Sequence, residues 1–459
     1  MQQVLDYIES HKSEFEQELF NLLRIPSVST DKELKSKIYN AAGFLLRQLT
    51  DIGMDDATLH ETGGNPIITA THCHAGEDQP TVLIYGHYDV QPPDPLHLWD
   101  TPPFEPTVRN GAVYARGASD DKGQAFTHIK SIEAYLKSGI RLPVNVKFIL
   151  EGEEEIGSEN LLPFIKAHKG LLACDMVLIS DTAMFDEDVP SITYGLRGLA
   201  YMELEVTGPN RDLHSGAYGG GVQNPVNALC EILAGIKDDN GVIQIPHFYD
   251  KVKNLTEEER KAYKKLPFDE GLYKKTLGID EMFGEKGYGT LERVSARPTF
   301  DINGIWGGYT GEGAKTVLPS KAYAKVSMRL VPDQDPKEIA KLFQEYVESI
   351  APKGVKVNVR EHHGGHPASV DFKFYGFKAA AKAFKQVYNK DPLYTREGGS
   401  IPIVADFKKI LGVDSILMGF GLNSNAIHSP NEHFALKDFH RGIKTSAFFL
   451  NYLKEFSKS

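Results

Sequence analysis

Residues 82–89 read VLIYGHYD, four apolar residues running into His87 and Asp89. An apolar run this short, bounded by a glycine, has the length and side chains of a buried strand. The arrangement recurs along the chain. Glu153, Glu154 and Glu155 follow the run Val144–Leu150, Asp181 follows Met176–Ile179, and His428 lies in the loop after Ser415–Phe420. Asp120 and Asp121 stand in GASDDKG, just before a helical pattern that begins near Gly123. In an open sheet of parallel strands, ligands bind beyond the carboxyl ends of the strands. The sequence therefore places imidazoles and carboxylates on one edge of a sheet.

Working outward, Val4, Leu5, Ile8, Leu19, Leu22 and Leu23 repeat at helical spacing up to Pro26, predicting one opening helix, and Tyr39–Leu49 predicts a second. Strands then alternate with helices, which indicates an α/β core with a mainly parallel sheet. The texture changes near Gly195. From there the order is strand (Ala200–Val206), helix (Pro225–Ile236), strand (Thr299–Ile305), strand (Tyr323–Leu330), helix (Pro336–Ile350) and strand (Val355–Arg360), the βαββαβ order of a ferredoxin-like α+β domain. A charged insertion, 246–289, is too polar to be core. After Ser369 the α/β texture resumes. The expectation is a discontinuous core domain, 1–196 and 369–459, interrupted by a second domain, 197–368.

The 459 residues carry 51 Lys and Arg against 62 Asp and Glu, a formal net charge of −11, with 41% hydrophobic residues. That composition excludes wholesale disorder and argues against a nucleic-acid partner, which wants a basic stripe. No apolar run approaches the roughly 18 residues of a membrane span. Cys73, Cys174 and Cys230 form no CxxC pair, so neither a disulfide framework nor a thiolate zinc knuckle is expected, and a reducing, cytoplasmic setting fits best.

Carboxylates crowded onto one edge repel one another and cannot all ionise without a cation. A mixed imidazole and carboxylate set without thiolate suits Zn²⁺, Mn²⁺ or Co²⁺ and matches Ca²⁺ poorly. One carboxylate shared by two cations would make a two-metal hydrolase, which activates a water and polarises a carbonyl. Within the glutamate run, one side chain can then be a ligand and its neighbour a proton carrier.

The segments YGHYDVQPP, YARGASDDKGQ, LEGEEEIGS and AIHSPNE resemble those of the di-zinc metallopeptidase family of carnosinase, cytosolic non-specific dipeptidase, aminoacylase and succinyl-diaminopimelate desuccinylase. WDTPPFEP, RDLHSGAYGG, KTVLPSKAYAKVSMRLVP and REGGSIPI resemble the dipeptidase branch. The resemblance implies two divalent ions per chain, one held by His87, Asp120 and Asp181, the other by Asp120, Glu155 and His428. It implies Glu154 as general base, Asp89 as the residue orienting His87, and an inserted lid and dimerisation domain. It also implies a homodimer in which His214 stabilises the developing oxyanion at the partner's site. Arg329 can bind a substrate's free carboxylate through two parallel hydrogen bonds. The resemblance adds Ser400, His366 and Thr316 beside it.

The expected activity is hydrolysis of dipeptides. The rival readings are an N-acyl-amino-acid deacylase with the same metals and a binding protein on an inactive hydrolase fold. Other histidines have plainer readings: His72 and His74 flank Cys73 on an edge strand, and His362, His363 and His366 close a strand, with His366 retaining a possible substrate contact. The run Gly219–Gly221 lacks the ending of a phosphate loop.

Overall fold

The run quoted above is a strand, Thr81–His87, and His87 is its last residue rather than one beyond it. The structure is a computed structural model that describes residues 1–399 and 401–457, without the side chain of His363. The chain forms two compact units. The first comprises Met1–Tyr194, Val370–Thr395 and Asp406–Ser459, and the second Gly195–Ser369 and Arg396–Ala405.

The first unit is built on a mixed sheet. Its centre holds four mutually parallel strands in the order Asn145–Glu151, Thr81–His87, Met176–Ile179 and Asp414–Leu417. Asp55–His60 and Ile67–His72 extend one side antiparallel, and Ser191–Leu196 turns antiparallel on the other. The central strands are buried along nearly their whole length, as strands covered on both faces must be. Helix Lys122–Lys137 crosses closely over Thr81–His87. A Cβ on Gly86 would stand 2.7 Å from the Cβ of Ala125, so only glycine admits this approach.

Three helices, not two, open the chain: Gln2–Ser10, Lys12–Leu23 and Lys35–Ile52. The periodicity passes through a break at His11, whose φ of −110° and ψ of 13° leave the helix while its ring stacks on Tyr7 at 3.8 Å. The second and third helices are pinned to Lys122–Lys137 by buried Lys130, which meets Glu18 at 2.5 Å, Gln48 at 2.7 Å and Glu133 at 2.7 Å. A lysine inside a core is tolerable only with such partners. The strand Ile67–His72 lies between two others and ends at His72, so His72 and His74 are not on an edge strand.

In the second unit, Asp301–Gly307, Lys321–Leu330, Gly198–Thr207 and Lys356–Gly365 form a four-stranded antiparallel sheet in that spatial order. With helices Pro225–Ala234 and Pro336–Ile350 the chain order is βαββαβ. Alternate residues Ala200, Met202, Leu204 and Val206 are buried with Leu229, Ile232, Phe343 and Val347 in a separate core. Both helices begin on a capping side chain followed by proline at the first helical position, Asn224–Pro225 and Asp335–Pro336. Within the charged insertion, helices Glu257–Lys265 and Glu270–Leu277 bury no residue fully.

Candidate metal centre

His87 is 1% exposed at the end of its strand. Its Nδ1 lies 3.1 Å from the backbone oxygen of Asp89 and 3.4 Å from the Asp89 carboxylate. Donation of the Nδ1 proton there leaves the Nε2 lone pair facing Asp120 at 3.1 Å and Asp181 at 3.9 Å. Asp120 reaches the opposite way with its other oxygen, 2.8 Å from Nε2 of His428, which also lies 3.3 Å from Glu155. Two groups result, His87 with Asp120 and Asp181, and Asp120 with Glu155 and His428. In each, the donor atoms lie within 4.8 Å of one another.

Burial alone would push the His87 imidazole down, but hydrogen bonds to Asp120 and Asp89 drive it well above its ordinary value. Hydrogen bonds to Asp120 and Glu155 push His428 up to about 10. Asp120, despite burial that opposes it, is held below the usual carboxylate range by His428 and His87. Both imidazoles are thus drawn toward a positive charge that the carboxylates demand. A divalent cation between the same atoms would supply that charge and leave each Nε2 as a ligand, so the donor set fits two such ions.

Glu154 and Glu155 sit on a short 3-10 turn after Asn145–Glu151. The backbone N–H groups of both donate to the Asp89 carboxylate, at 3.2 and 3.1 Å. Asp89 therefore ties His87 to the turn that carries the two glutamates, a wider task than orienting one ring. Burial raises Glu154 well above the usual carboxylate value, opposed by His87 and reinforced by Asp181 and Glu155. Glu154 belongs to neither donor group, which leaves its carboxylate spare for proton transfer.

Three positioning residues were not singled out from the sequence. Gln91 Nε2 donates to Glu155 at 2.8 Å. Gln124, 1% exposed, donates to the backbone oxygens of Ser119 and Thr182 and accepts from the N–H groups of Phe420 and Gly421. One amide with all four hydrogen bonds made joins the loops of Asp120, Asp181 and His428. Glu432 is fully buried. It accepts from Arg116 at 2.8 Å and from the N–H groups of Gly117, Ser119 and Asp120 at 2.9, 2.9 and 3.1 Å. All three lie inside the motif blocks, Gln124 and Glu432 buried and Gln91 partly so.

Four other predicted site residues belong to the second unit. His214 is exposed, ends the strand Leu213–His214, and accepts the N–H of Gly216 on Nδ1 at 3.0 Å. Thr316 is its neighbour, with its carbonyl accepting from Ser215 at 3.1 Å. Arg329 is half-buried on Lys321–Leu330, near the charge of Asp301. His366 is exposed, 3.9 Å from Asp335. Ser400 lies outside the described residues.

Imidazole and carboxylate donors at a parallel sheet's carboxyl edge, with a spare carboxylate to carry protons, define a metal-dependent hydrolase. The model of peptidase family M20/M25/M40 matches residues 83–452, and the chain belongs to that family. It is 35% identical to the Cys-Gly metallodipeptidase of Saccharomyces cerevisiae over 98% of each chain. It is 32% identical to the Beta-Ala-His dipeptidase of Homo sapiens, covering 98% of this chain and 92% of that one. Its fold matches the M20 family metallo-carboxypeptidase of Sulfolobus solfataricus with a TM-score of 0.85 and 34% identity, over 96% of this chain and 99% of that one.

Proposed function

We propose that this chain is a dipeptidase that hydrolyses the single peptide bond of its substrate with two divalent ions. The observation that carries the reading is Asp120, whose two oxygens face His87 and His428 in separate donor groups. The relatives that act on Cys-Gly and Beta-Ala-His support dipeptides as the substrate class. His87, Asp120 and Asp181 would hold one ion and Asp120, Glu155 and His428 the other, with Zn²⁺ the best match and Mn²⁺ or Co²⁺ compatible. When bound, such ions polarise the scissile carbonyl and make water more acidic.

Glu154 takes a proton from the attacking water and delivers it to the leaving amine. Asp89 keeps Glu154 in place through its backbone N–H. His214 stabilises the developing oxyanion across a homodimer. Support for pairing is the outer strand Asp301–Gly307, which exposes Ile302, Ile305 and Trp306. The second unit serves as lid and dimerisation domain. Arg329, with His366, Thr316 and Ser400, binds the free carboxylate and so limits the length of the substrate. The free cysteines support a cytoplasmic setting, and no helix among the described residues is long and apolar enough to cross a membrane.

The test is product release by metal-reconstituted protein on a panel of dipeptides, dipeptide amides, tetrapeptides, and N-acetyl and N-succinyl amino acids. Dipeptides should be cleaved best. Arg329→Ala should lose kcat/KM on dipeptides with little change on their amides, which lack the charge. Faster cleavage of the N-acyl compounds would reject the substrate class, and equal losses on acid and amide would reject the role of Arg329.

A further inference from the structure

The second unit contains a cavity of about 490 Å³, within the roughly 300–1,000 Å³ of small-molecule sites. Its wall carries Arg197, Lys237, Arg293, Arg297 and Arg329 against two acids, Glu285 and Asp301. Glu285 is already engaged, because Arg297 donates to both its oxygens from Nε and Nη2 at 2.7 and 2.6 Å. Lys237 donates to the backbone oxygen of Phe300 at 2.8 Å, and Arg293 to that of Glu285 at 3.0 Å. Among the described residues neither has a carboxylate partner, so two full charges are held in place by neutral carbonyls.

Arg297 belongs to the frame of the cavity. It is 4% exposed, and its remaining nitrogen, Nη1, is buried with no hydrogen-bond partner among the described residues. That nitrogen has no surface open to the cavity, and the guanidinium packs on the Tyr288 ring at 4.3 Å, so Arg297 closes the wall beside Lys237 and Arg293 without supplying them a counter-charge. We propose that this cavity binds a small oxyanion, of the phosphate or carboxylate class, through Lys237 and Arg293. Such an anion offers several acceptor oxygens to planar and tetrahedral donors at once. It has two sources: a free anion, or the side chain of a C-terminal Asp or Glu in a dipeptide. The second source rests on the proposed function, since Arg329 lines the same cavity.

Inorganic phosphate titrated into the metal-loaded enzyme by calorimetry tests the site. Lys237→Gln and Arg293→Gln should each weaken its binding about tenfold, the loss of one charged hydrogen bond. Hydrolysis of a neutral dipeptide should stay at the parent rate, and Lys237→Arg should retain phosphate. A second arm compares kcat/KM for dipeptides ending in Asp or Glu with one ending in Ala. If the preference for acidic ends falls in the same variants, the substrate supplies the anion; if only phosphate binding falls, a free anion does. Failure of the Arg329 reading would leave the phosphate arm unchanged. No phosphate binding by the parent, or equal affinity in the parent and both variants, as phosphate held at the metal centre would give, overturns the proposal.

Discussion

The two halves of the candidate metal centre are made differently. His87 is 1% exposed, closes a central strand, and has its ring fixed by Asp89. The His428 side chain is 53% exposed and sits in a loop where Ala426, His428 and Asn431 have φ of 56°, 60° and 63°. Non-glycine residues in that left-handed region cost on the order of 1–3 kcal/mol each and persist only where surrounding structure enforces them. Here Glu432 anchors the end of the loop to the amides of Ser119 and Asp120, and Asn425 accepts from Leu422 at 2.6 Å. One half is preset by the sheet, the other assembled by buried polar contacts. The His87 half should therefore bind its ion more tightly.

The largest effect expected lies outside this asymmetry. Glu154→Gln should keep both ions and lose ~10²–10⁴ in kcat, the range for a positioned acid–base group. Turnover within a few-fold of the parent would assign proton transfer to another residue.

Positioning residues sharpen the comparison. Gln91→Leu removes the donor on Glu155 and should weaken the ion on the His428 side alone, by about 10–100-fold. Asp89→Asn disturbs His87 and both glutamate amides, so it should weaken both ions by a similar factor. Competitive chelator titrations resolve the two sites. Equal weakening of both by Gln91→Leu would break the distinction between the halves.

The last effect is on stability in acid. His128 is buried between Ser180 and Ser446, and Ser180 donates its one proton to Met418, so Nε2 of His128 donates to Ser180. Burial lowers this histidine to about 3 from 6.5. Between those values the unfolded chain binds the proton and the folded one does not, so stability is full above 6.5 and falls as pH drops through this window. The slope for one group is at most about 1.4 kcal/mol per pH unit. His128→Gln should flatten denaturation midpoints measured from pH 6.5 to 4. An unchanged slope would remove His128 from the account.

Much of this was legible in the sequence because the chemistry follows strands. His87 ends one, Asp181 comes two residues after another, and Glu154 and Glu155 turn off a third, so period and polarity locate them. The βαββαβ order was legible for the same reason. Gln124 and Glu432 were not, because they bond to backbone groups up to 297 and 315 positions away, and no local pattern reports such contacts. The helix break at His11 is hidden by apolar spacing that continues through it. The grouping of Arg396–Ala405 with the second unit is likewise a tertiary fact, carried in part by the bond from Arg197 to the Gly398 carbonyl at 3.1 Å.

The central claim is that one carboxylate serves two ions. Metal content of the parent and of Asp120→Ala, measured after equilibration with Zn²⁺ and removal of loosely held ions, tests it most directly. The parent should retain two ions per chain and the variant neither, with circular dichroism showing that the variant is folded. A folded variant that keeps one or both ions and turns over dipeptide would contradict the shared site.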